Sequence, residues 1–264
     1  MENTVGINQP YYLPYIGFFD RAKACDWFVI NEYSPLNRTR ANHRRARIIQ
    51  IHPTAPQDFI FLTQTIPPRY EGVPFDQIPL SDQFWETQKQ HAQTLYGTYK
   101  SSKGFFYSEG LLSLLEERGA LSLGEYNTIL ILYIAKRLGL DQIKAIRELS
   151  ISYNENMDTT SANHATAANL AICNSLRATR HIAGQNAPLW LDEELFNLSG
   201  IEVHYQKIDF KPYRQYNRRQ LFTDGLSTVD LLFNAGENAA SFIGQSSVIV
   251  DKETLLATTE LTGR

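Results

Sequence analysis

The opening thirty residues constrain the fold more than any other stretch. Val5-Gly-Ile-Asn8 is a short strand-like run, and Trp27-Phe-Val-Ile30 is an apolar run of the kind buried on both faces. Between them, Ile16 to Ala24 carries apolar residues at helical spacing, with Asp20, Arg21 and Lys23 on the other face. Strand, helix and strand within about 30 residues make a βαβ unit, so the two strands run parallel with a right-handed crossover. The predicted class is α/β, a Rossmann-like parallel sheet. Before the helix the chain spends Pro10, Tyr11, Tyr12, Pro14 and Tyr15. Ordinary connections of this kind need only a few polar residues. The loop is shaped for a site.

Later segments extend the pattern. Ile48–Ile51 and Phe59–Ile66 are strand-like, and residues 67–80, with four prolines and Gly72, form an irregular loop. From Ser81, an N-cap candidate, the chain turns helical, and Leu123 to Leu138 is its strongest helix, closed by Gly139. We expect one α/β domain over 1–264, with 81–149 as a mainly helical insert or lid. The α/β pattern then returns: Ile146–Ser152 as a strand, Ala165–Leu176 as a helix, and Thr179–Gly184 as a strand ending in a glycine turn. Leu195–Leu198 reads as helical and Glu202–Tyr205 as extended. Ser227–Gly236 is a short helix carrying both an N-cap serine and a C-cap glycine.

Composition narrows the function classes. Charged residues are 20% and hydrophobic ones 43% of 264, an ordinary soluble profile. A formal net charge of -3 argues against a dedicated nucleic-acid binder, which shows a strong basic excess. Cys25 and Cys173 sit in apolar contexts without metal-ligand spacing and read as buried, reduced thiols. Met1-Glu-Asn-Thr runs straight into a strand, and no apolar run approaches the roughly 18 residues that cross a bilayer. A cytoplasmic chain with no membrane partner is the expectation.

Two stretches carry candidate chemistry. Arg38, Arg40, Arg44, Arg45 and Arg47, with His43 among them, put five guanidiniums in ten residues of an acidic chain. Arginine forks bind phosphate or carboxylate through paired hydrogen bonds, so Arg38, Arg44 and Arg47 are candidate phosphate ligands. The bland alternative is a solvated charged turn. In the opening loop, Asn8 and Gln9 end a buried strand and need partners or a ligand. Tyr12 and Tyr15 can stack on a ring, and Gly17 can bring a helix N-terminus close to phosphate. A packed aromatic turn is the structural alternative. His91, among aromatic residues of the helical region, is a candidate general base, as is Asp230 among Val229, Leu231 and Leu232. Gln215 and Asn234 lie near Asp230 in sequence and join the binding candidates. No nucleophile elbow, P-loop, HExxH or dinucleotide glycine fingerprint occurs, and no metal ligand set stands out.

At these residues the chain resembles the WbqC-like family, over nearly its whole length. The likeness runs through Gln9-Pro10, Tyr12-Leu-Pro14, Gly17-Phe-Phe19, Asp26, Phe28-Val29 and the arginine segment. It continues through Trp85, His91, Tyr99, Gly184 to Asp192, Tyr213, Gln215, Leu226-Ser227, Asp230–Asn234 and Gly236. The family places a histidine before Gln-Pro where this chain has Asn8, which hydrogen-bonds but takes no proton. A tryptophan expected near Arg40 is also missing. The resemblance implies a cytoplasmic enzyme of surface-polysaccharide (O-antigen) or specialised-metabolite biosynthesis that adds a glycyl or other acyl group to an amino sugar. Ala22-Lys-Ala-Cys-Asp-Trp-Phe-Val29 is similar in part to the HIGH-motif nucleotidyltransferases, with Tyr15 and Phe18 in their histidine places.

Three readings follow. The first is a transferase forming an amide on a nucleotide-linked amino sugar, with Asn8, His91 and Asp230 as catalytic candidates. Its donor would be aminoacyl-tRNA or carrier-bound, and its substrate would carry phosphate. The second activates a small acid with ATP and magnesium. The third binds a phosphate ligand without turnover.

Overall fold

The computed structural model of the protein describes residues 2–52, 57–149, 151, 164–216 and 222–261. β1 (Thr4–Asn8), α1 (Ile16–Lys23) and β2 (Trp27–Ile30) form the expected opening unit. The two strands are parallel, with Val5 opposite Trp27 and Asn8 opposite Ile30. Phe18 of α1 meets Phe28 of β2 edge to face, centroids 5.1 Å apart. Gly6 permits this approach, since a Cβ there would stand 2.6 Å from the Phe28 ring and 2.7 Å from Cys25 Sγ. Gly6→Ala is therefore expected to lower stability by about 2 kcal/mol, the middle of the range for an overfilled core. A urea midpoint equal to wild type would show that α1 lifts off its strand freely.

α2 (Ala41–Arg44), β3 (Arg45–Ile49) and β4 (Phe59–Thr63) follow, and the two strands make a separate antiparallel ribbon. β3 begins earlier than the apolar run starting at Ile48 implied. Ala46 and Ile48 are buried while Arg45 and Arg47 are partly exposed, the alternation of a strand with one covered face. Four helices come next: α3 (Asp82–Tyr99), α4 (Phe105–Ser108), α5 (Gly110–Glu116) and α6 (Leu123–Leu138). Ser81 and Ser122 accept hydrogen bonds from the Phe84 and Glu125 amides, and Gly139 closes α6 at φ 69.

β5 (Ile143–Ala145) pairs with β2 and precedes the strand expected over residues 146–152. Ile146–Glu148 instead winds into one tight turn, because Arg147 and Glu148 are exposed and Arg147 leaves the sheet to pair with Glu32. Ser150 and Ser152 of that expected strand lie outside the described residues. The chain continues with α7 (His164–Ser175), β6 (Arg180–Ala183), α8 (Glu193–Leu198), β7 (Glu202–Ile208), α9 (Thr228–Ala235), β8 (Ser247–Val250) and α10 (Lys252–Thr258).

The sheet has six strands in the order β5-β2-β1-β6-β7-β8, parallel except for β8, so the fold is a Rossmann-like α/β sheet. One apolar cluster, with Phe18, Leu95, Leu130 and Leu232, joins α1 to α3, α6 and α9. A second, with Ile172, Phe196 and Leu255, brings together α7, α8 and α10. The strand order reverses direction between β1 and β6. In open sheets of this kind, ligands bind outside the carboxyl ends of the strands at such a reversal. No described helix is long and apolar enough to cross a membrane.

Candidate functional site

The aromatic loop is held open by main-chain contacts. Tyr12 N donates to Asn42 O at 3.2 Å, and Thr228 N donates to Pro14 O at 2.8 Å. Ser227, the N-cap of α9, donates from its hydroxyl to Leu13 O at 2.7 Å and from its amide to Arg47 O at 2.7 Å. Leu13 sits at φ 42, a left-handed conformation that a leucine holds only under such constraint. Loop, β3 and the start of α9 therefore meet around a shallow notch. It is open to solvent, with a cavity volume of about 20 Å³, and Tyr15, Asn42, Arg45, Arg47, Gly225 and Ser227 help to line it. Gly225 lets Arg47 approach the main chain, because a Cβ there would stand 2.9 Å from Arg47 Nη1.

The arginines at and beside this notch are not tied up in ion pairs with other described residues. Among the described residues, Arg38, Arg40, Arg44, Arg45 and Arg47 make no ion pair. The Nε atoms of Arg38, Arg44, Arg45 and Arg47 are buried without a hydrogen-bond partner. Burial, then the charges of Arg45 and Arg38, pull the Arg44 pKa down against the opposing pull of Glu71. Burial also lowers that of Arg47, with Asp224 opposing. The guanidiniums instead lie over aromatic faces: Arg47 is 3.8 Å from the Phe59 centroid and Arg45 is 5.7 Å from that of Phe61. A stripe of fixed cations on an apolar ribbon attracts an anion. His43 is not part of that surface. It is fully buried, its Nδ1 accepts from the Asn37 amide at 2.9 Å, and burial, then Arg40, holds its pKa at about 3.

The other predicted residues fall into three places. Tyr12 points inward, its hydroxyl 2.9 Å from Gln88 Oε1 and 2.8 Å from His91 Nδ1. One hydroxyl proton serves one acceptor at a time, and Tyr126 competes for the same Gln88 oxygen at 3.1 Å. Burial keeps His91 neutral, with a pKa of about 4, behind the loop rather than in the notch. Tyr15 is half-buried and packs edge-on to Phe210. A Cβ at Gly17 would stand 2.5 Å from the Tyr15 ring, so the space over Gly17 is filled by the loop's own side chain rather than left for a ligand. Burial, then the neighbouring Tyr11, pushes the Tyr15 pKa up to about 12.

Asp230 is fully buried and accepts from Tyr99 at 2.6 Å and Tyr213 at 2.7 Å. Burial raises its pKa to about 6 against those hydrogen bonds. Gln215 exchanges two hydrogen bonds of 2.8 Å with the main chain of Thr223. Asn234 accepts from the Tyr216 amide and donates to Asp230 O, both at 2.8 Å. These two amides brace the segment that packs on Asp230. Asn8 and Gln9 stand at the carboxyl end of β1. Asn8 Oδ1 accepts from Arg21, Asn8 Nδ2 donates to Gln9 O at 2.9 Å, and Gln9 Nε2 reaches Pro35 O at 3.4 Å.

Tyr12, Tyr15 and Arg47 are thus brought together at the notch, with Arg44 in the adjoining short helix. Sequence reasoning did not single out Asn42, Gly225 and Ser227 as lining residues. It left Arg45 unranked, although the alternation of Arg45, Ala46 and Arg47 pairs it with Arg47. It also placed Asp20 and Arg21 on an exposed helix face, whereas both are buried. Asp20 is drawn in because its carboxylate accepts from the Gly244 and Ser246 amides at 2.8 and 2.7 Å. Among the described residues no three His, Cys, Asp or Glu side chains gather as a metal site.

The model of the WbqC-like protein family matches residues 9–242 of this chain. The uncharacterized protein Rv1507c of Mycobacterium tuberculosis is 26% identical over 246 residues, covering 90% of this chain and 96% of its own length. No solved structure matches the chain.

Proposed function

Since the chain belongs to the WbqC-like protein family, we propose that it is a transferase forming an amide on an amino-bearing substrate that carries phosphate. A nucleotide-linked amino sugar with a glycyl or related acyl donor fits best. One observation carries this reading: among the described residues Arg44, Arg45 and Arg47 make no ion pair beside a braced aromatic loop. Arg45 and Arg47 face a diphosphate at the notch, Arg38 and Arg44 extend the positive field, and the Tyr15 ring offers an edge to a base or sugar.

None of the side chains lining the notch is a carboxylate or a histidine. The notch therefore binds and orients, fixing the attacking amine relative to the acyl carbon. Asp230 has a pKa suited to a general base, yet it has no exposed surface, does not line the notch, and its carboxylate is held by Tyr99 and Tyr213.

The test is calorimetric titration with uridine diphosphate amino sugars, followed by product analysis with activated glycine donors. Arg47→Ala removes one charge-assisted contact and is expected to weaken binding at least tenfold, on the scale of about 1.5–3 kcal/mol per such bond. Equal affinity of Arg47→Ala and wild type, or no amide product with any donor, ends this reading. A second reading, ATP-dependent activation of a small acid, is favoured by the parallel βαβ opening. It predicts pyrophosphate release that requires both ATP and the acid, with magnesium brought in on the phosphates.

A further inference from the structure

Arg21 is a buried cation with no ion-pair partner among the described residues. Only 5% of it is exposed, and its hydrogen bonds go to two neutral oxygens at the end of β1, Ile7 O at 3.4 Å and Asn8 Oδ1. Among the described residues no carboxylate lies within ion-pair distance of it. The neighbouring Asp20 turns away to the Gly244 and Ser246 amides, and Asp26 is occupied with the Thr4 amide at the other end of β1. Among the described residues, Arg21 Nε is buried without a partner and Nη1 makes no hydrogen bond. The guanidinium lies over the Phe28 ring, 5.3 Å from its centroid.

A guanidinium cannot escape burial by shedding its proton. An unpaired buried charge is among the most destabilising arrangements in a fold. Arg21 lies in the last turn of α1, where the helix dipole favours a cation, but that effect is typically only about 0.3–1 kcal/mol and does not replace a counter-charge. The unspent positive charge is therefore available to an anion arriving from outside.

Its location fits that use. Gly6 pairs with Ile182, so two residues further on Asn8 lies beside Gly184 at the carboxyl ends of β1 and β6. This is where the strand order reverses, and Asn8, Gly184 and Gln185 are all partly exposed there. Gly184 packs directly beside Arg21, and only its missing side chain leaves room there: a Cβ at that position would stand 2.9 Å from Nη1.

We propose that Arg21, Asn8 and Gly184 form a subsite for the carboxylate of a small acid. A single guanidinium balances one negative charge and matches a planar pair of oxygens, whereas a phosphate suits the several arginines of the ribbon. The subsite does not depend on the phosphate reading of the notch, and the two fail separately.

Thermal unfolding is followed in sodium acetate against sodium chloride at equal ionic strength, with sodium phosphate as a third arm. Acetate at a hundredfold excess over its Kd is expected to raise Tm by about 5 °C or more. Arg47→Ala should keep that rise, and Arg21→Met should lose it. Should Arg21→Met fail to fold, Asn8→Asp decides the matter by supplying the missing counter-charge internally. It is expected to melt at or above the wild-type temperature and to gain nothing from acetate. An acetate effect no larger than that of chloride, or one that survives in folded Asn8→Asp, overturns the subsite. A rise with phosphate alone that depends on Arg21 overturns its assignment to carboxylates.

Discussion

Lowering the pH from 7 to 5 is expected to remove about 4 kcal/mol of folding stability, and lowering it to 4 about 6 kcal/mol. Three buried histidines carry the effect. Burial holds His43 at about 3, His91 at about 4 and His181 at about 4, with Arg40 assisting at His43. At His181 the Val5 carbonyl opposes burial and the charge of Arg21 assists it. Unfolded, each titrates near its ordinary value of 6.5. Because the folded values are the lower ones, the unfolded chain takes up protons first. The stability is whole above pH 6.5, falls as pH drops below it, and levels off beneath the folded values. Each histidine loses the fold nearly 2 kcal/mol by pH 5. Asp230 works the other way. Its carboxyl, raised to about 6, protonates first in the fold and returns about 1 kcal/mol by pH 5. Asp20, also raised by burial, acts in the same direction. Against a usual total of about 5–15 kcal/mol, a loss of about 6 kcal/mol by pH 4 removes roughly two fifths of the stability or more. Urea midpoints measured from pH 7 to 4 at fixed ionic strength read this directly, and His91→Gln should remove about a third of the histidine contribution. A flat profile would mean that these rings are solvated or paired.

Much of the fold was legible because its signals are local. The βαβ opening showed in the change from continuous apolar runs to helical spacing, and α6 and α9 showed in Ser122, Gly139, Ser227 and Gly236, which cap them. β5 was misplaced because Ile143 and Ala145 are short alternating residues in a three-residue edge strand, too brief to outweigh the longer run after Ala145. β8 was not anticipated, although Ser247-Val-Ile-Val250 has strand composition; it forms by pairing with β7, a non-local contact. The site was half legible. Arginine density pointed to the ribbon, and the loop's tyrosines and prolines pointed to its neighbour. Nothing local shows that Tyr12 turns inward to His91 while Tyr15 stays half-exposed, nor that Arg21 is buried and Lys23, two residues on, is exposed. Those outcomes depend on what the distant segments around Gln88, Gly184 and Gly244 place against the loop and α1.

Removing both hydroxyls from Asp230, by Tyr99→Phe with Tyr213→Phe, is expected to lower stability by about 4 kcal/mol at pH 7, since each bond to a charged group contributes about 1.5–3 kcal/mol. The carboxylate has no exposed surface, and the two tyrosines donate to it. Tyr99 comes from α3 and also accepts from the Ile49 amide of β3 at 3.4 Å, while Tyr213 belongs to the segment braced by Gln215 and Asn234. Asp230 thus ties the helical region, the arginine ribbon and that segment to α9. Without the hydroxyls the buried charge keeps only the Asn234 amide as a side-chain donor, and the pKa, already raised by burial, rises further. A raised carboxyl favours the fold while protonated and loses that advantage as pH climbs through the folded value. Both proteins carry the same histidine loss, so the stability gap between the double variant and the native protein should narrow on going from pH 8 to 6. Adding Asp230→Asn should restore most of the loss at pH 7, because the penalty belongs to the buried charge rather than to the missing hydroxyls. A triple variant no more stable than the double would place the penalty in the packing of the phenol rings, and Asp230 would then be a passenger in its own cluster.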